Sequence, residues 1–262
     1  MTASTLTYID LPEHPGVALL TFNRPASHNA LNGEDMTAFA AAVERLAGRT
    51  DLHAVVVTGA GDKSFAAGGD LKDLEQVRTM DEARGLFDLG NGAMHAIRTF
   101  PVPVIAALNG YAIGGGAELA ISCDVRIAAP HARMGFVQGN LNISPAWGGG
   151  SDLCATLGPA AGLELLATSR IVDAPEAKAI GLFNAVAPEG EPFADFVERW
   201  LAPWKRQKPQ VMRAFKWNAA ARKLGIPRSE MEPRDREHVA TAWCHEDHWA
   251  AAKDILKKGP KP

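Results

Sequence analysis

The chain has 262 residues, 47% of them hydrophobic and 22% charged, and a formal net charge of −3. That length and balance fit one large domain, or a core with an appendage, with enough apolar material for a sizeable interior, and they exclude disorder as the default. The slight acidity argues against general nucleic-acid or membrane-surface binding, while a local basic patch stays compatible with a phosphate.

The opening stretch, MTASTLTYIDLPEHPG, has no basic segment followed by an apolar run, so no secretory signal is expected. Val17 to Phe22 reads as a buried strand, stopped by Asn23-Arg24-Pro25. From Gly33 to Leu46, apolar residues at Met36, Phe39, Ala40, Val43 and Leu46 are spaced like one face of a helix. Ala54 to Thr58, Pro103 to Leu108 and Val125 to Ala129 read as further strands. Strands thus alternate with helical stretches, an α/β rhythm that fades after about Pro188. Beyond it the pattern is mostly helical, and Trp200, Trp204, Trp217, Trp243 and Trp249 crowd there, as expected of a unit that packs on the core or on another subunit. The reading divides the chain into a core over 1–195 and a C-terminal helical region over 196–262.

The three cysteines, Cys123, Cys154 and Cys244, are odd in number and form no CxxC pair. A reducing, cytoplasmic setting is the simplest expectation. No run approaches the roughly 18 apolar residues that span a bilayer, so a soluble protein with no membrane partner is expected. His245-Glu246-Asp247-His248 is not an HExxH motif, and no metal is expected.

Two glycine-rich turns stand out: Ser64 to Lys72, containing Gly68-Gly69-Asp70, and Asn109 to Glu118, containing Gly114-Gly115-Gly116. Neither matches a nucleotide-phosphate motif. Alone, each reads most simply as a tight turn. Glycine at a strand-to-helix junction also lets backbone approach a ligand, with free N–H groups and the helix field favouring negative charge. Two such N–H groups, one per loop, would make an oxyanion hole. Asp70 is placed to cap the helix that follows the first turn.

Taken together with their flanks and order, these segments resemble the enoyl-CoA hydratase/isomerase (crotonase) superfamily. Asn23-Arg24-Pro25 with His28-Asn29-Ala30-Leu31-Asn32 resembles its first CoA-contacting segment, and Phe65 to Lys72 its first oxyanion-hole loop. Pro103 to Leu119, then Cys123-Asp124-Val125-Arg126, resembles the second hole and the strand after it, and Pro145 to Gly150 a further glycine-rich turn. The resemblance implies an α/β fold, the crotonase (ClpP-like) spiral of repeated β-β-α turns, with the C-terminal helical region assisting a homotrimer or a homohexamer of two trimers. It implies that Gly69 and Gly115 supply the two N–H groups and that Glu118 is an acid/base catalyst. It also implies that Arg24, His28, Ala30, Ala67, Gly69, Asp70, Leu71, Lys72 and Trp147 meet the substrate or its CoA. The CoA is part of an acyl-CoA thioester substrate, and no separate cofactor is implied.

The match breaks at one place. Family hydratases carry a second glutamate after the strand that follows the Cys-Asp-Val segment, and counting from Phe136 puts that position at Asn140, which cannot exchange a proton at neutral pH. Hydration of a 2-enoyl-CoA to a 3-hydroxyacyl-CoA is the leading expectation. The stretch from Phe136 to Gly149 is also similar to the corresponding segment of ethylmalonyl-CoA decarboxylase, so alkylmalonyl-CoA decarboxylation stays open. Enoyl-CoA isomerisation and an acyl-CoA-binding protein without catalysis stay open as well.

Overall fold

A computed structural model describes residues 6–10 and 15–258. Among the described residues, ten strands form two sheets. The larger has the order β1-β2-β3-β5-β7-β10, from Leu6–Asp10, Val17–Phe22, Ala54–Gly59, Val104–Leu108, Val125–Ala128 and Ala185–Val186. Its β1 and β2 run antiparallel and the remaining neighbours parallel. The smaller sheet has the order β4-β6-β8-β9, from Ser64–Ala66, Tyr111–Ile113, Arg133–Gly135 and Ile171–Asp173. There β4, β6 and β8 are parallel, and β9 is antiparallel to β8.

The chain visits the sheets alternately. A long strand of the first sheet is followed by a short strand of the second and then by helix: β3-β4 leads to α2 (Leu71–Leu74) and α3 (Met80–Arg98), and β5-β6 leads to α4 (Gly115–Ser122). The same turn recurs when β7-β8 leads, through a 3₁₀ turn at Val137–Leu141, to α5 (Gly149–Leu157) and α6 (Pro159–Thr168). This is the repeated β-β-α spiral that the sequence leads one to expect.

The central strands are apolar on both faces, as parallel strands covered on both sides must be. In β3, Val55 and Val57 join the main core while Ala54 and Val56 face the opposite side, with Ile105, Ala107 and Ile127 of the neighbouring strands. That second face is covered by α8 (Phe193–Leu201) through Phe196 and Leu201. The expected boundary between 195 and 196 therefore falls inside a helix that belongs to the core. Beyond it, α9 (Pro209–Lys223) buries Met212, Lys216, Ala220 and Ala221, whereas α10 (Arg228–Cys244) buries nothing and leaves Val239 and Trp243 exposed.

Helix starts near the candidate site are fixed locally. Asn32 and Asp35 form a reciprocal capping box at the head of α1 (Gly33–Ala47), and Thr79 with Glu82 does the same for α3. Each such cap is worth about 1 kcal/mol. Among the described residues, no helix is long and apolar enough to cross a membrane, and no group of three or more His, Cys, Asp or Glu could hold a metal ion.

Candidate active site

Because β4 and β6 are parallel neighbours, the two glycine turns leave the same edge of the small sheet side by side. Glycine is required where they meet. A Cβ on Gly116 would lie 1.9 Å from the Ala66 carbonyl oxygen, and one on Gly68 would lie 3.0 Å from the Ile113 carbonyl oxygen and 3.5 Å from the Gly115 nitrogen. Gly68 and Gly114 also take positive φ, 97° and 56°, where other residues are strained. The Gly69 and Gly115 N–H groups have no acceptor among the described residues, and Gly115 opens α4, where the helix leaves its first N–H groups unpaired.

Glu118 stands one turn into α4 and is 1% exposed. Its carboxylate accepts four hydrogen bonds: Oε1 from Gln138 Nε2 (2.9 Å) and the Ala146 N–H (3.0 Å), Oε2 from the Trp147 N–H (2.7 Å) and the Gly149 N–H (2.9 Å). Burial pushes its pKa up and the four donors oppose this, with a net shift above the ordinary glutamate value. A carboxylate displaced in that direction is a better proton acceptor at neutral pH than an exposed one.

The residue beside Glu118 is Gln138 and not Asn140. Asn140 is exposed on the 3₁₀ turn, and the turn's three-residue repeat carries Gln138 inward. The side chain hydrogen-bonded to Glu118 is thus an amide two residues before position 140. Gln138 Nε2 donates to Glu118, while Gln138 Oε1 is buried without a donor among the described residues.

The turn that carries Trp147 is held from below by a buried ion pair which sequence reasoning did not single out. Arg98 Nε donates to Asp152 Oδ2 at 2.8 Å, and Arg98 Nη2 donates to the Trp147 carbonyl at 2.9 Å. Ser122 Oγ bridges the Glu118 carbonyl (2.8 Å) and Asp152 Oδ2 (3.2 Å). The Trp147 residue is thus pinned by Glu118 at its N–H and by Arg98 at its C=O.

Arg24, expected to meet CoA, has its guanidinium engaged within the protein. Nη1 donates to the Ala30 carbonyl (2.8 Å) and Asp35 Oδ2 (3.1 Å), and Nη2 to Asp70 Oδ2 (3.0 Å). Its charge is balanced by two carboxylates, and it ties the segment from Arg24 to Asp35 to the first glycine loop. Asp70 caps α2, its Oδ1 accepting from the Lys72 N–H at 3.2 Å, as expected. Ala67, Leu71 and Lys72 are exposed beside it, and Ala30 is half-buried. His28 is exposed with φ 53°, its Nδ1 3.4 Å from Ser64 Oγ, and its carbonyl accepts from the Ala67 N–H.

A two-sheet β-β-α spiral with glycine loops converging at a helix start defines the crotonase fold, and comparison with known proteins agrees. The Enoyl-CoA hydratase/isomerase family model matches residues 13–247. The short-chain-enoyl-CoA hydratase of Clostridium acetobutylicum is 38% identical over 186 residues, 71% of each chain. The crotonyl-CoA hydratase of Syntrophomonas wolfei is 39% identical over 183 residues, 70% of each. The crystal structure of an enoyl-CoA hydratase from Bacillus anthracis superposes with a TM-score of 0.86 at 28% identity, covering 97% of this chain and 96% of that one. The chain belongs to the enoyl-CoA hydratase/isomerase family.

Proposed function

We propose that this protein hydrates a 2-enoyl-CoA to the 3-hydroxyacyl-CoA with Glu118 as its single proton-moving carboxylate. The observation that carries the reading is the buried Glu118 carboxylate on the same short helix whose first residue, Gly115, offers an unengaged N–H beside the Gly69 loop. Water adds its oxygen to Cβ while Glu118 takes one of its protons. The electron pair of the double bond moves through Cα to the thioester oxygen, which the Gly69 and Gly115 N–H groups hold as charge develops. Glu118 then returns the proton to Cα, so the elements of one water are added and nothing is left over. A hole of this kind is worth about 3–4 kcal/mol per donor.

Gln138 supports this chemistry without exchanging protons. Of the four donors on Glu118, it is the one on a side chain, and it fixes the orientation of Glu118 Oε1. The substrate is an acyl-CoA thioester, and CoA is the handle on that substrate and not a separate cofactor. The exposed apolar side chains of the last helices, Val239, Trp243, Trp249, Ile255 and Leu256, suit burial in a homotrimer or in a hexamer of two trimers. The free cysteines Cys123, Cys154 and Cys244 fit a cytoplasmic protein.

The amide at 138 favours one alternative, decarboxylation of an alkylmalonyl-CoA, in which loss of CO₂ itself generates the enolate and no base is needed at the start. Purified protein is incubated separately with crotonyl-CoA and ethylmalonyl-CoA, following loss of the conjugated enoyl absorbance and release of CO₂. Hydration without CO₂ release is the expected result. Carbon dioxide release without hydration would replace the reading by the alternative.

A further inference from the structure

Trp147 is 5% exposed, and its backbone N–H donates to Glu118 at the candidate site. Its benzo edge lies against Gly115, where an added Cβ would be 2.4 Å from Cζ3, and its pyrrole edge lies against Gly90 of α3, where an added Cβ would be 1.9 Å from Cδ1. A glycine inside a helix costs about 1 kcal/mol relative to alanine, so a packing reason is sought for it. Here the three glycines of α3 differ: Gly85 and Gly92 face open space, and Gly90 is the notch that seats the indole. Leu74 closes the other side, its Cδ1 2.7 Å from a Cβ placed on Gly69. Beyond the indole there remains a cavity of about 20 Å³ bordered by Leu31, Met36, Leu74 and Leu86 and by the polar Asn32 and Asp73. That is room for roughly one water and not for an alkyl chain.

From this arrangement we propose that Trp147 is the end wall of the acyl pocket and restricts the enzyme to short, apolar acyl chains. The inference rests on the reading of Gly69, Gly115 and Glu118 as an acyl-thioester site. An acyl chain whose carbonyl oxygen meets the Gly115 N–H runs against the benzo edge of the indole within a few carbons. The indole cannot swing aside cheaply, because it is packed between Gly90 and Gly115 while Glu118 and Arg98 hold its backbone N–H and carbonyl. The apolar edge faces the hole, so the wall discriminates by length and not by hydrogen bonding.

The test measures binding of the saturated thioesters butyryl-, octanoyl- and decanoyl-CoA by calorimetry, alongside kcat/KM for crotonyl- and decenoyl-CoA. Wild-type protein is expected to bind butyryl-CoA best. Trp147→Ala is expected to raise the decanoyl-to-butyryl affinity ratio by roughly 100-fold or more, and Trp147→Phe, which keeps an aromatic ring in the core, by about 10-fold. Wild-type protein that binds decanoyl-CoA as tightly as butyryl-CoA, or a ratio unmoved in the folded Phe variant, would overturn the proposal. Saturated thioesters cannot be hydrated, so a length-graded binding series supports the wall even where hydration fails. No binding of any thioester would overturn the acyl-CoA site and the wall together.

Discussion

Gln138 Nε2 lies 2.9 Å from Glu118 Oε1, and both side chains are buried, so the carboxylate at the candidate site faces an amide that cannot titrate. Two carboxylates in such contact would couple, the charge of one raising the pKa of the other. Here one carboxylate titrates alone, its pKa raised by burial against four opposing donors.

The pH dependence follows with a definite sign. The ionised Glu118 is the active form, so kcat/KM for crotonyl-CoA hydration is expected to be high above its pKa and to fall as pH drops through it, at a value above that of an ordinary glutamate. Gln138→Glu replaces a donor by a like charge and is expected to move this limb upward by on the order of one unit or more. A limb that stays in place in the variant would show that position 138 does not sense Glu118.

Gly116→Ala is expected to cost activity without touching any reacting group. Its Cβ would sit 1.9 Å from the Ala66 carbonyl oxygen, forcing apart the two loops that carry Gly69 and Gly115. Misplacement on the scale of an ångström is worth about 100-fold in rate. The expected readout is a fall of about that size in kcat, with the far-ultraviolet circular dichroism retained.

Arg98→Met tests the support beneath Trp147. Arg98 and Asp152 side chains are each 8% exposed and 2.8 Å apart, and removing Arg98 leaves the buried Asp152 with the more distant Lys223, at 3.7 Å, as its countercharge. Loss of about 3–5 kcal/mol in urea unfolding is expected, and the double variant Arg98→Met/Asp152→Leu should recover much of it. Little change in the single variant would contradict a tightly pinned turn.

Lys223 gives stability a second pH dependence. Burial lowers its pKa to about 8, while its Nζ donates to the Ile121 carbonyl at the end of α4 and lies 3.7 Å from Asp152 Oδ1. Between that value and the ordinary lysine pKa the unfolded chain binds more protons than the folded one, so this group makes stability rise with pH across that window. The buried Cys123 thiol, pushed up to about 12, works in the opposite sense at higher pH. The difference between wild type and Lys223→Met isolates the lysine and is expected to grow from pH 8 upward.

Much of the fold was legible because both faces of the central strands are covered. Val55-Val56-Val57 and Val104 to Leu108 are then continuous apolar runs that no helix period explains. The partner strands β4, β6 and β8 span three residues each, too short for any alternation to register, and they emerge only from their pairing. Glu118, Gly69 and Gly115 stood out through the resemblance of their segments, in order, to the crotonase superfamily, since each glycine turn alone reads most simply as a tight turn. Gln138 did not, because whether residue 138 or 140 points inward depends on the tight turn after β8, and polarity along Gln138-Gly139-Asn140 is uniform. Gly90 was silent for a different reason: in sequence it is a weak helix residue, and its partner Trp147 is distant along the chain.

The central claim, that Glu118 moves the proton beside the two glycine N–H groups, is tested most directly by Glu118→Gln. Crotonyl-CoA hydration at neutral pH and butyryl-CoA affinity are measured on wild type and variant. The expected result is a loss of about 10²- to 10⁴-fold in kcat with butyryl-CoA affinity held within a few-fold. A folded Glu118→Gln protein that hydrates crotonyl-CoA within a few-fold of wild type would contradict it.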